Sequence, residues 1–205
     1  MKVHHGREGL PSFAQAVVTT GTFDGVHVGH RKILQRIQEL ALGCGGESVL
    51  VTFDPHPRLV LFPDDNDLRL LSTLDEKLRL LEAMGLDHVV VVPFDRAFSR
   101  LTAMQYVKDF LVDQLGVHQL VIGYDHHFGR NREGHIGQLR DFGKSFGFSV
   151  EEIPAQDIDD VKVSSTKIRN ALLEGDVETA ETFLTYAYAL EGVVGHGEKK
   201  GQGLG

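Results

Sequence analysis

Cys44 is the one cysteine in 205 residues, which excludes an intrachain disulfide and any cysteine-based metal cluster. A reducing compartment is the simplest fit, so a cytoplasmic protein is expected. Positive charge is also scarce: 21 Lys and Arg stand against 29 Asp and Glu, for a net charge of −8. Nothing in that balance invites a nucleic-acid backbone or an anionic membrane surface, so any recognition of phosphate has to be local. Long apolar runs are missing as well. No stretch approaches the roughly 20 residues that span a bilayer, and residues 1–10 are polar and His-rich rather than a signal peptide. With 41% apolar content the chain can bury one full core, and one domain plus a tail is expected.

The informative residues concentrate in Thr19-Thr20-Gly21-Thr22-Phe23-Asp24-Gly25-Val26-His27-Val28-Gly29-His30. This stretch joins a short apolar run, Ala16-Val17-Val18, to an amphipathic segment beginning at His30. There Ile33, Leu34, Ile37, Leu40 and Ala41 repeat at the spacing of one helical face. The helix is expected to stop at Gly43, with Gly45 and Gly46 completing the break. Gly21, Gly25 and Gly29 let backbone approach a ligand closely, and the helix start aims amide N–H groups and a positive dipole end at the turn. His27 and His30 add two imidazoles at the same mouth. A tight connection would explain glycines alone; two His, three Gly and an Asp between a strand and a helix start point to a phosphate site.

Further along, residues 48–53 read as a second buried strand leading into Asp54-Pro55-His56-Pro57-Arg58, where two prolines forbid continued ladder pairing. Residues 54–71 have little regular signal and read as a mobile flap over a substrate site. Ser72 or Thr73 caps a helix buried through Leu74, Leu78, Leu81 and Met84 and stopped by Gly85. Val89-Val90-Val91-Val92 is a run of the kind a parallel sheet buries on both faces. A loop over 94–101, a capped helix over 102–115 and a strand over 118–122 follow, then a helix over 137–146 and a strand over 149–153. Four strand-helix alternations without hairpin signals predict an α/β fold with a doubly wound, Rossmann-like parallel sheet. Its unusual loops, at Gly21, Asp54, Phe94 and Gly123, all follow strands and so should share one rim, where such sheets bind ligands.

The loop Gly123-Tyr124-Asp125-His126-His127-Phe128-Gly129 is either solvated surface or a nucleotide contact. In the second reading Asp125 accepts hydrogen bonds from hydroxyls and Phe128 offers a stacking face. Val163-Ser164-Ser165-Thr166-Lys167-Ile168-Arg169 opens a helix running to Glu174. Its hydroxyls are first of all an N-cap, yet N–H groups, hydroxyls and two cations also make a second anion site, suited to a triphosphate and its departing pyrophosphate. Zinc has only histidines to bind, with no paired Cys or His-Glu helix pattern, so no metal-ligating residues are assigned. Ser164 and Ser165 lack the glycine-flanked elbow of a covalent nucleophile.

Taken together, these motifs resemble the N-terminal FMN adenylyltransferase module of bacterial bifunctional riboflavin kinase/FMN adenylyltransferases, within the His-x-Gly-His nucleotidyltransferases. The resemblance rests on residues 21–30, Thr52-Phe53-Asp54-Pro55-His56-Pro57, 123–129 and 163–169. That family often has Asn at the position of Thr22, Glu at that of Asp54 and Arg at that of Lys167. The resemblance implies ATP and FMN as substrates, Mg²⁺ carried with ATP, and FAD and pyrophosphate as products. It implies His27, His30 and Arg169 as catalytic groups. Gly21, Thr22, Phe23, Asp24, Gly25, Gly29, Gly123, Asp125, Ser164, Ser165 and Thr166 would hold the nucleotide. Asp54, His56, Pro57, Arg58, Phe62, Tyr106 and Phe128 would lie around the flavin. Residues 1–187 would form the adenylyltransferase domain. Residues 188–205, with Gly192-Val193-Val194-Gly195-His196-Gly197, look like the opening strand of the family's riboflavin kinase barrel, the partner domain in cis of the full-length protein. That remnant cannot close a barrel, so no kinase activity is expected from it. Two alternatives stay open: another nucleotidyltransferase of the superfamily, and a non-catalytic flavin- or nucleotide-binding module.

Overall fold

A computed structural model describes residues 1–64, 68–124, 126–154 and 163–195. Its centre is a six-stranded sheet in the order β1-β4-β3-β2-β5-β6, parallel throughout. The strands are β1 Lys2–His5, β2 Ala16–Thr20, β3 Ser48–Asp54, β4 His88–Pro93, β5 Val117–Gly123 and β6 Ser149–Ile153. Strand β1, read from the sequence only as a polar start, adds to the edge through the pairing of Lys2–His5 with residues 88–91. The helices are α1 Val28–Cys44, α2 Pro57–Leu61, α3 Leu74–Ala83, α4 Ala103–Gln105, α5 Ile136–Phe146, α6 Ser165–Glu174 and α7 Val177–Leu184. The expected α/β architecture is present.

Successive residues of a strand point to opposite faces, and both faces here are covered, which is why the strands read as unbroken apolar runs. Val17, Leu50, Val89, Val91 and Val121 meet Leu34, Ile37 and Ala41 of α1 and Leu81 of α3. On the other face Val18, Val51, Val90, Val92, Leu120 and Ile122 meet Tyr106, Val107, Phe110 and Leu111, with Leu139 of α5. A third cluster joins Ile168, Ala171, Ala180 and Leu184 of α6 and α7 to Leu71 and Val163.

Several elements differ from the sequence reading for local reasons. Helix α1 begins at Val28, because His27 takes the N-cap with extended backbone, and it runs to Cys44, where Gly45 closes it in the left-handed conformation. The segment expected as a flap contains the short helix α2, with His56 as N-cap and Pro57 in its first turn. Thr73 and Glu76 form a reciprocal capping box at α3. The expected helix over 102–115 is α only at α4; Tyr106–Val112 is a π-helix. The amide of Asp113 bonds the carbonyl of Lys108 at 3.0 Å, and that of Leu115 bonds Phe110 at 3.1 Å, five residues back in each case. Helix α7, unanticipated, is capped by Asp176, whose carboxylate accepts from the Thr179 amide. The described part of the tail, 185–195, carries no regular element; His196 and the remainder of the expected barrel strand lie outside the described residues.

The chain moves from β2 through β3 to β4 on one side, then returns to add β5 on the other side of β2. The reversal falls between β2 and β5, and the loops that follow those two strands begin at Gly21 and Tyr124. Such a switch point opens a crevice at the carboxyl ends of the strands. Helices α6 and α7 dock there through Ile168, which is fully buried. Ile168→Ala is expected to cost about 2–5 kcal/mol, read as a lower urea midpoint.

Candidate active site

A cavity of about 1410 Å³ opens at that crevice. One drug-sized ligand occupies roughly 300–1,000 Å³, so the volume suits two substrates side by side. Its wall combines a polar group of side chains with an aromatic one, and the two meet where the Thr20 hydroxyl and the Tyr106 phenol hydrogen-bond at 2.9 Å.

The polar group is built on the turn from β2 to α1. Phe23, Gly25 and Val26 all take positive φ, at 49°, 76° and 39°. This backbone is costly for Phe and more so for the β-branched Val26. It folds the turn so that His27 caps α1, its Nδ1 accepting from the amide of His30 at 3.4 Å. With Nδ1 accepting, the proton of neutral His27 sits on Nε2. The rings of His27 and His30 stack with centroids 3.6 Å apart, and both line the cavity. Burial pushes His27 down to about 4. His30 is pushed well below its ordinary value, mainly by burial and further by His27 and Lys77. Both are therefore neutral near pH 7, and His30 Nδ1 is buried without a hydrogen-bond partner among the described residues.

Helix α6 brings its N-terminus onto the same turn. Ser164 caps it through the amide of Lys167 at 3.3 Å. The Ser165 hydroxyl donates to the Asp24 carbonyl at 3.0 Å. Arg169 Nη2 meets Asp24 Oδ2 at 2.7 Å, and its Nε donates to the Arg69 carbonyl at 2.6 Å. The other carboxylate oxygen of Asp24 accepts from the amides of Leu71 and Ser72 at 2.9 and 3.3 Å. Two helix starts, each with a positive dipole end, thus line one hollow.

Tyr106 and Phe128 form the aromatic side, with ring centroids 5.6 Å apart. Both rings are almost fully buried. They belong to the core and to the cavity wall at once. Burial raises the Tyr106 phenol to about 12. Gly134 lies under Phe128, where a Cβ would come within 2.5 Å of the ring. His56, Pro57, Arg58 and the half-exposed Phe62 form another stretch of wall, and burial lowers His56.

Gly21, Thr22, Phe23, Asp24, Gly29, Gly123, Ser164, Ser165, Thr166 and Arg169 also line this cavity. Gly25 and Asp54 are not among the lining residues. Gly25 faces away, where a Cβ would strike Leu71 at 2.8 Å and Leu184 at 3.2 Å. Asp54 closes β3 in register with Pro93. Asp125 lies outside the described residues.

Other residues of the site were not assigned by the sequence reading, although Phe53 belongs to the 52–57 motif and Phe94 opens a loop expected at the same rim. Phe53, Phe94 and Phe98 extend the aromatic wall, with neighbouring centroids 5.6 to 5.8 Å apart. Arg96, Arg100 and Arg130 add positive charge to the rim. Behind the turn, Lys77 is buried and donates to the Thr22 carbonyl at 3.0 Å and the Thr52 hydroxyl at 3.3 Å. Burial lowers its pKa, against the opposing pull of Asp24 and Asp54. One signal was available: Lys77 stands three residues after Leu74 and four before Leu81, on the apolar face of α3.

A parallel sheet whose switch-point turn carries His27-Val28-Gly29-His30 into a helix start, faced by a second helix start, is the α/β nucleotidyltransferase fold. Residues 11–167 match the FAD synthetase family, and the chain belongs to that family. Similar proteins include the bifunctional riboflavin kinase/FMN adenylyltransferase of Escherichia coli (strain K12), 38% identical over all of this chain and 66% of the relative. Another is the protein of the same name from Listeria monocytogenes, 35% identical over 92% of this chain and 60% of the relative. The chain therefore spans about two thirds of the length of such relatives. A crystal structure of a macrolide-efflux protein from Streptococcus pneumoniae has the same fold, with a TM-score of 0.80 at 25% identity over 91% of this chain and 62% of that one. That likeness concerns fold alone; among the described residues of this chain no helix is long and apolar enough to cross a membrane.

The buried, neutral His27 has a consequence for stability. Its pKa is about 4 when folded against 6.5 when exposed, so on acidification the unfolded chain takes up a proton that the folded chain refuses. Its contribution is full above pH 6.5 and is lost as pH falls towards 4, about 3 kcal/mol for this group. In His27→Asn, which keeps a capping oxygen, urea unfolding across that range should fall less steeply by about that amount.

Proposed function

We propose that this chain transfers AMP from MgATP to FMN, giving FAD and pyrophosphate. The observation that carries the reading is one cavity, large enough for two ligands, with two helix N-termini and a stacked imidazole pair beside an aromatic wall, in a chain of the FAD synthetase family.

The attacking atom is a phosphate oxygen of FMN. Its second pKa is about 6, so it is largely ionised at neutral pH and needs no general base. It forms a bond to the α-phosphorus of ATP while the bond from that phosphorus to the bridging oxygen breaks, and the electron pair leaves with pyrophosphate. The protein's work is in-line alignment and relief of negative charge. His27 Nε2–H and His30 supply donors at the α-phosphate, and a polyphosphate beside them favours their protonated forms and so strengthens the bonds. Gly21, Thr22 and Gly29 allow close backbone approach. Ser164, Ser165, Thr166, Arg169 and the α6 N-terminus hold the β- and γ-phosphates, with Arg169 also tied to the turn through Asp24. Asp125 and Gly123 attend the nucleoside. Tyr106, Phe128 and Phe62 offer faces to the isoalloxazine, with His56, Pro57 and Arg58 near the FMN phosphate. Among the described residues no three His, Cys, Asp or Glu side chains converge on a metal position, and Mg²⁺ is assigned to the ATP substrate.

The adenylyltransferase domain is taken as residues 1–187, with 188–205 opening a riboflavin kinase domain that the full-length protein carries in cis, in keeping with the names and lengths of the relatives. Cytoplasmic localisation and small-molecule rather than nucleic-acid partners complete the proposal. The test is incubation with ATP, Mg²⁺ and either FMN or riboflavin, followed by chromatography of the flavins. FAD from FMN alone is the expected result. FAD absent with FMN would overturn the assignment. His30→Ala should lower turnover on the order of 100-fold or more, with ATP and FMN affinities by calorimetry changed only several-fold.

A further inference from the structure

We infer that Tyr186, which lies beyond the last helix and outside the cavity, is a positioning residue that holds the strained turn carrying His27. The inference rests on the proposed adenylyl transfer at that turn and adds a residue to it.

The turn has to be held by its surroundings. Positive φ at Phe23, Gly25 and Val26 costs on the order of 1–3 kcal/mol for each non-glycine residue, so without external bonds it would relax. Besides the bonds to Thr22 and Asp24 described above, three contacts on Gly25 and Val26 oppose that. The Gly25 amide donates to the Ser72 hydroxyl at 3.3 Å. The Val26 carbonyl accepts from Arg31 Nε at 3.1 Å. The Gly25 carbonyl accepts from the Tyr186 hydroxyl at 2.8 Å, across 161 residues of chain. This last is the shortest, and it fixes the peptide plane two bonds before the backbone of His27.

Tyr186 is itself held in place. Thr185, at φ 65°, ends α7 in the left-handed conformation, immediately before Tyr186. Leu184 and Leu71 both occupy the side of Gly25 on which a Cβ would project. The Arg31 guanidinium lies 5.7 Å from the centre of the Tyr186 ring, so one arginine joins both the phenol ring and the Val26 carbonyl. Burial raises the Tyr186 phenol to about 12, which keeps it a donor at any working pH. Tyr186 is not among the residues lining the cavity. Its influence therefore passes through Gly25 and Val26 to the imidazole, and displacements of about 1 Å at a reacting group can cost up to 100-fold in rate.

Tyr186→Phe removes one hydroxyl and leaves the ring and its arginine contact. For FAD formation the expected result is a kcat lower by on the order of 10-fold with KM for FMN and for ATP within two-fold. Tyr188→Phe, altered two residues away in the α6–α7 cluster, should match the parent. A kcat for Tyr186→Phe within two-fold of the parent overturns the inference, as does a fall matched by loss of folded protein in circular dichroism at the assay temperature. Imidazole NMR signals of His27 are recorded on the same samples. Should the parent chain make no FAD, the functional reading fails by itself. The positioning claim is then decided by whether Tyr186→Phe, and not Tyr188→Phe, shifts the His27 signals; unshifted signals overturn it.

Discussion

The buried carboxylate of Asp24 is the constraint on which the site depends. One oxygen meets Arg169 from α6, the other two backbone amides of residues 71 and 72, and its own carbonyl accepts from Ser165. Two segments far from it in sequence, residues 71–72 and α6, thereby converge on one residue of the turn. Removing both charges from water costs several kcal/mol per ion, which their attraction offsets only when every remaining lone pair is met. Here each carboxylate oxygen has a partner, so the pair contributes geometry rather than a large net stability. It sets the distance between two helix N-termini, and that distance decides whether one polyphosphate can touch both.

The sheet supplies the second requirement. Because β2 and β5 run parallel on either side of the chain reversal, the loops after Thr20 and Gly123 emerge at the same rim. Phe53 and Phe94, at the ends of β3 and β4, bring the aromatic wall to that rim from neighbouring strands. Lys77 satisfies the carbonyl of Thr22 from beneath. A turn with three positive φ values thus persists because its polar atoms find partners in α3, in the segment before it and in the segment after α7. Strain at a functional turn is stored by surroundings that over-determine it.

Much of this was legible in the sequence. Apolar runs at 16–18, 89–92 and 118–122 revealed central strands because a parallel sheet buries both faces, and residues 21–30 revealed a ligand turn because its Gly and His residues are contiguous. Strand β1 was hidden by His4 and His5, which belong to a pattern no central strand would tolerate but an edge accepts; His4 Nε2 hydrogen-bonds with His88 Nδ1 at 3.0 Å. The π-helix was hidden because Tyr106, Val107, Phe110 and Leu111 fit an α-helical face equally well. Phe98 joins the cavity wall, and Tyr186 reaches the turn behind it, only through tertiary packing, over separations that no local window spans. Gly25 was legible as a special glycine, while the reason, a wall of leucines rather than a ligand, was not.

The π-helix at Tyr106–Val112 has a geometric corollary. Each residue of an α-helix turns the chain by about 100°, so the wider winding acts as one extra residue inserted between the sheet-facing part of this segment and its start. It resets the angular register of Thr102 and Ala103 relative to Phe110 without lengthening the neighbouring strands. Gly129 meets Ala103 so closely that a Cβ there would lie 2.9 Å from its amide nitrogen. The helix start and the loop bearing Phe128 are consequently indexed to one another like adjacent gear teeth, with the Arg130 amide on the Leu101 carbonyl at 2.7 Å and the Ala103 amide on Glu133 at 3.1 Å locking the mesh.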